Sequence, residues 1–509
     1  MRYLLAILVL HYGFFYMWGQ PGFNQKYDLG ESMTTFFQCS LVEENTLAVY
    51  GLAYSDEVFL HQQGLVFAKI DTNGNVLSHR LYFDSLGYEY AVNLPASFIK
   101  LKDGSGYMLL AQILENYNAV LLKTDNEGNL ISKFEFEDTI SLSKFYKKII
   151  EINNYFYISG VIQSQNYQTD IFIIKIDRKG NKLWEKSYGL NSRREYLTRF
   201  YVANENEFVF GGIIVNSIDW PDYDKTEFGN KIFAIDSLGI IKWNWEGALS
   251  KISKGDEHDV TGLYKSNDRD YRYTTIRSQY NVTEDAFYHQ PSFIIRDSNF
   301  NLIFEKPVGT LQKHINGFSH SFPTQDGGWL AVGEANTTAQ LKSFTGWMYR
   351  LDAKGDSLWS RFDTAQAPGP WGGENVFFSA AELPSGSIIA CGYSDRLGGP
   401  KTWGWLLKVD QNGCMDTLHC YPISSTIEPN EATKSLRIFP NPVLSTFRFI
   451  DETQTKWDWV EVTNVLGQTI LNIPHPVNNE IDLSLFKPGV YFVRFVKRNH
   501  FMVKTIVKT

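Results

Sequence analysis

Residues 173–189 read IIKIDRKGNKLWEKSYG. An apolar, β-branched run meets an Asp-x-x-Gly turn at Asp177 and Gly180, and Trp184 follows four places after the glycine. Asp suits the first turn position because its carboxylate accepts backbone N–H bonds, and Gly suits the last because it tolerates positive φ. The stretch therefore predicts a β-hairpin. The same pattern stands at Asp71, Asp125, Asp236, Asp297, Asp352 and Asp410, at intervals of 54, 52, 59, 61, 55 and 58 residues. A period of that length holds about four short strands and their loops.

Six copies keep the glycine and the fifth has Phe300 in its place. Four places later stand Trp184, Trp243, Trp359 and Phe304, with Ser78, Ser132 and Thr417 in the other copies. An aromatic there is expected to pack between neighbouring sheets. Upstream of the hairpins, tight-turn pairs such as Asp103-Gly104, Asp326-Gly327 and Ser385-Gly386 separate further alternating apolar runs. Each repeat thus reads as four antiparallel strands, and such units bury both faces only when arranged radially. The expected fold is all-β: a seven-bladed β-propeller of four-stranded blades over residues 20–420, with residues Phe23 to Leu29 supplying the strand that closes the last blade. The hairpin resembles the tryptophan-bearing repeat of quinoprotein-like propellers, in architecture only, so no quinone or other cofactor is expected. The repeated aspartates read as turn formers and no metal is expected.

Residues 1–19 pair one basic residue with an apolar stretch and a small residue at Gly19, the outline of a secretory signal peptide. No later run is long and apolar enough to span a bilayer as a helix. The net charge is −8; residues 435–509 carry nine Lys or Arg against six Asp or Glu, a net of +3 that leaves −11 for the rest. An acidic propeller is a poor partner for nucleic acid or anionic lipid. A monomer is expected. Of the four cysteines, Cys414 and Cys420 flank a short loop and are disulfide candidates; Cys39 and Cys391, in the first and last units, are left as either a bridge or two buried thiols.

Past a Pro- and Ser-containing linker at 421–435 the pattern changes to short alternating strands with Pro-Asn-Pro and Lys-Pro-Gly turns, a small antiparallel β-sandwich over 436–509. These residues resemble the type A C-terminal sorting domain of the type IX secretion system. The resemblance rests on Pro440-Asn441-Pro442, Gly467 within Leu466-Gly467-Gln468, Lys487-Pro488-Gly489-Val490-Tyr491, and the basic last strand with Lys504. It implies export through the outer membrane, with that system's outer-membrane machinery as the partner of this domain, and a secreted or cell-surface product. The Lys487-Pro488-Gly489 turn is expected to expose a sandwich edge for docking.

Whether the propeller does chemistry is a question about its site, since the fold hosts many functions. Gly-x-Ser-x-Gly, His-Glu-x-x-His, phosphate-loop and EF-hand motifs are all missing from the sequence. The most distinctive loop, from Asn216, groups Trp220, Asp222, Tyr223, Asp224 and Glu227, acidic and aromatic residues suited to stacking on and hydrogen bonding a sugar. Arg193, Arg194, Glu195, His258, Tyr288, His289 and Trp371 are further candidates. The favoured expectation is a recognition module for a polysaccharide or a surface protein; the alternative is a polysaccharide hydrolase or lyase with carboxylates at the channel mouth, and catalytic residues are not identified.

Overall fold

The computed structural model describes residues 22–415 and 436–509, except 31–32, 56–61, 94–96, 137–142, 164–167, 190–192, 217–225, 252–256, 267–269, 282–285, 310–311, 314–316, 337–342, 368–371, 397–398, 400, 452–456, 458, 465–468, 475, 477–478 and 498–499. The chain divides into two compact units, Met1–Ser425 and Thr426–Thr509. Every regular element among the described residues is a β-strand.

Among the described residues the first unit holds seven antiparallel sheets, each with a four-strand path. The seven expected turns are present and built alike. In each, one aspartate oxygen accepts the backbone N–H groups two and four residues on, at 2.8–2.9 Å. The aspartates are thereby committed to the backbone. Where Asn stands at the fourth place, its amide donates to the other oxygen, as Asn129 does to Asp125 and Asn181 to Asp177. These bonds favour the ionised form and hold both carboxyls below their ordinary range. Phe300 takes the left-handed conformation of the glycine it replaces, with φ of 64°, and its ring stacks on Tyr271 and Trp245.

The aromatic after the turn performs the packing expected of it, and the contact is directional. Trp184 lies against Gly239 in the next turn along the chain, Phe304 against Gly355, and Trp359 against Gly413, with Trp359 Nε1 donating to the Gln411 carbonyl at 3.0 Å. Trp243 packs on Phe300. In the copies that carry serine, a later residue of the same strand takes over: Phe134 lies against Gly180, and the Tyr82 hydroxyl donates to the Gly128 carbonyl at 2.6 Å. Each sheet thus rests on the turn of its successor.

The ring closes as expected. Phe23–Tyr27 pairs with Trp403–Val409, from Phe23 opposite Lys408 to Tyr27 opposite Gly404, and completes the seventh sheet. Tyr27 then donates to the Gly74 carbonyl of the first turn at 2.9 Å. Seven apolar clusters each join one sheet to the next, and the one holding Phe36, Val49, Ile389 and Leu406 joins the last to the first. This closing cluster contains Cys39 and Cys391 as free thiols, which settles the open choice between bridge and thiols. Cys414 is disulfide-bonded; Cys420, its expected partner, lies outside the described residues.

One feature of the inner strands sets up the site. In six of the seven, the register shifts by one residue at the same place, a β-bulge at Phe37, Lys147, Thr198, Asp259, Ser319 and Phe378. In five, the residue before the bulge faces a glycine: Gly51, Gly160, Gly212, Gly333 or Gly392. The bulged backbone comes so close that a Cβ at Gly392 would stand 1.7 Å from the Val376 carbonyl oxygen, and one at Gly51 1.8 Å from that of Thr35. The bulge re-aims the following side chains toward the axis of the ring.

The second unit is a sandwich of a three-stranded and a four-stranded sheet around Phe447, Val460, Val493, Phe495 and Ile506. The expected role of the Lys487-Pro488-Gly489 turn needs correction. It leads into Gly489–Lys497, which is flanked on both sides by Trp459–Asn464 and His500–Lys508. The turn is exposed, but it opens an inner strand, not an edge.

Candidate functional site

Trp220, Asp222, Tyr223, Asp224 and Trp371 lie outside the described residues, as does Gly467 of the sorting motif. His289 is half-buried on Ala286–Arg296, opposite Gln312, with Tyr288 beside it. His258 is on Glu257–Lys265, and its side chain is outside the described set. Arg193 and Glu195 prove to be parts of an ion-pair network. Arg193 meets Glu246 at 3.0 Å, and fully buried Glu195 takes the Lys231 ammonium at 2.5 Å. These two cations and two carboxylates are paired with one another within a sheet, an arrangement that serves structure.

The residues the structure does bring together are those after the bulges. A cavity of about 470 Å³ opens on the inner strands of four sheets, lined by Gln38, Lys148, His320 and Glu382 and by the bulged rings of Phe37 and Phe378. The two rings meet edge to face at 4.9 Å, and Phe378 stacks on Tyr393 at 5.7 Å. Arg199 reaches across to donate to the Ser319 carbonyl. His320 is half-buried in the cavity wall, and its Nδ1 accepts the Ala380 N–H at 3.3 Å. Burial, with Arg199 and Lys148 nearby, depresses His320 to about 3, so the ring is neutral at physiological pH. Burial and Arg199 likewise push Lys148 down to about 8.

Tyr393 leads from this wall to a second group. Its hydroxyl donates to Glu374, and burial together with Glu374 raises the phenol above its ordinary value. Burial and the Glu374 charge raise Glu334 to about 7. Neither group stood out in sequence. The available signal was the alignment of inner strands, which sets Gln38, Lys148, Arg199, His320 and Ser379 at one position in otherwise apolar runs. The seven Asp-x-x-Gly carboxylates contribute nothing here, and no grouping of His, Cys, Asp and Glu among the described residues suits a metal ion.

In the second unit three pieces of the sorting motif converge. Asn441, between prolines preceded by cis bonds, clamps the last strand: its amide donates to the Thr505 carbonyl and its oxygen accepts the Val507 N–H, each at 2.9 Å. Val507 in turn faces Val490 of the Lys-Pro-Gly-Val-Tyr stretch. Tyr491 closes that turn by donating to the Lys487 carbonyl at 2.6 Å. Lys504 stands on the same last strand, opposite Val493, and Lys508 donates to the Leu444 carbonyl at 2.9 Å.

No curated protein matches the chain. Among solved structures it is similar to an α-L-arabinofuranosidase of Fusarium graminearum, at 10% identity over 64% of this chain and 96% of that one, with a TM-score of 0.39. It is also similar to an apocarotenoid oxygenase of Synechocystis, at 11% identity over 90% and 94%, with a TM-score of 0.38. An endo-arabinase of Bacteroides thetaiotaomicron overlaps at 11% identity over 50% and 92%, with a TM-score of 0.30. Overlaps this loose bear on neither activity nor substrate, and the ring stands on its own sheet topology. The C-terminal match is of another kind: residues 437–509 fit the secretion system C-terminal sorting domain. The second unit is a type IX secretion sorting domain, and the protein is one that is exported to the cell surface or the extracellular space.

Proposed function

We propose that the exported propeller is a recognition module that binds a polysaccharide in its central cavity. One observation carries this reading: the inner-strand bulges turn two aromatic rings and several hydrogen-bonding side chains into one preformed cavity of about 470 Å³. Specific small-ligand sites have that size, with apolar walls and a few placed polar groups. Phe37 and Phe378 supply apolar surface for sugar rings, and His320 Nε2 supplies a donor for a hydroxyl, while the Gln38 amide is held by the Phe98 backbone. The test is retention of the purified chain on insoluble polysaccharides, set against surface proteins. Phe378→Ala is expected to weaken retention roughly ten-fold, the scale of one lost aromatic contact. Retention equal to the parent's would remove the cavity from the account.

A second reading, a secreted polysaccharide hydrolase, is favoured by the Glu334–Glu374 pair. A carboxyl raised to about 7 beside a second carboxylate has the poise of a general acid.

A further inference from the structure

We propose that the cavity takes its polysaccharide by a chain end and not by an internal stretch. The inference rests on the cavity being the ligand site, and it follows from how the wall is closed.

Met33–Glu43, Gly317–Pro323 and Gly373–Glu382 are each the end strand of their sheet. A strand viewed from its face presents every second residue. Here consecutive residues line the space, Phe37 to Leu41 on the first sheet and Phe378 to Glu382 on the seventh. The strands are therefore met edge-on, and the cavity follows them for about 13 Å at the usual rise of a strand.

Entry from the side is closed seam by seam. Between the sixth and seventh sheets, the Ala380 N–H donates to His320 Nδ1 at 3.3 Å and the Gln325 N–H to Glu382 at 2.7 Å, while the Gln325 amide donates to the Leu383 carbonyl at 2.9 Å. Between the seventh and first, the rings of Phe378 and Phe37 meet at 4.9 Å, and the Thr34 N–H donates to the Thr402 carbonyl at 3.0 Å. Between the first and second, Gln38 accepts the Phe98 N–H at 2.9 Å and Lys100 donates to the Val42 carbonyl at 2.6 Å. Between the second and third, the Lys102 N–H donates to Glu151 at 2.8 Å. Behind these bonds lie the apolar clusters that join each sheet to the next, and they carry the closure round the rest of the ring.

A ligand thus comes in along the axis of the ring. An internal stretch of polymer would have to enter doubled, two chains abreast. A volume of about 470 Å³ is that of a site for one small ligand and is too small for that. A chain end enters once, with Phe37, Phe322 and Phe378 beside it. Because His320 Nδ1 accepts a backbone N–H, Nε2 carries the ring proton and donates to a hydroxyl of the terminal sugars.

Titration calorimetry on the whole protein tests this through stoichiometry. The probes are soluble fractions of amylose, xylan, laminarin and alginate, and of any other polysaccharide that retains the protein, each in two chain lengths that differ ten-fold. For a polymer that binds, the protein bound per chain is expected to be the same for both lengths, so that the short fraction binds ten-fold more protein per unit mass. Protein bound per chain that rises ten-fold with length overturns the proposal, because sites would then lie along the chain. If that binding is still weakened by Phe378→Ala, the cavity remains the ligand site and only the chain-end reading falls. If no polysaccharide binds, the proposed function falls and this proposal falls with it.

Discussion

A chain truncated after Ser425 is expected to stay within the cell envelope, with nearly all of the protein lost from the surface and medium. The propeller unit has its own seven cores and loses none of them in this truncation, so a folded but unexported ring is the expected product. Quantifying the protein in envelope, surface and medium fractions checks this. Unchanged export would mean that the address lies elsewhere in the chain. The clamp within the sorting domain gives a graded version of the same experiment. Asn441 holds the last strand by two hydrogen bonds, each worth about 1 kcal/mol, so Asn441→Ala is expected to loosen that strand while the sandwich core stays intact.

Gly392→Ala is expected to cost the propeller about 3 kcal/mol or more, the upper range for overpacking a site that cannot yield. The added methyl would stand 1.7 Å from a main-chain oxygen that is fixed by the bulge at Phe378. Relief requires the inner strand to move, and that strand carries Phe377, which stacks on Trp405 at 4.1 Å, as well as the cavity residues Phe378 and Ser379. Stability and ligand binding should therefore fall together. Gly104→Ala is the control, because nothing lies within 4 Å of a Cβ there and the remaining cost is its positive φ alone. Denaturant midpoints for both variants make the comparison. A Gly392→Ala midpoint equal to that of Gly104→Ala would show that the bulges are not rigid.

The hairpins could be read from sequence because their chemistry is local. Asp177 and Gly180 satisfy their turn within four residues, and the repeat made that local signal count seven times over. Ring closure was also legible, because Phe23 to Leu29 matched the outer strands of other repeats. What stayed hidden depends on register between strands. Nothing near Ser132 announces that Phe134, two residues on, will occupy the place of Trp184, and nothing in "YKKII" distinguishes the bulged Lys147 from Lys148, which lines the cavity. Arg193 and Glu195 looked like binding residues because their partners, Glu246 and Lys231, are more than thirty residues away. The Lys-Pro-Gly turn was recognisable as a turn, but whether its strand lies inside or at the edge of a sheet is a property of the sheet.

On the proposed function the cavity binds its polymer and leaves it intact. The most direct measurement is of reducing ends released when the purified protein is incubated with the polysaccharides that retain it. Retention with no new reducing ends is the expected result. Reducing ends that accumulate with the parent and vanish in Glu334→Gln would contradict it, and would make the Glu334–Glu374 pair the acid and base of a hydrolase.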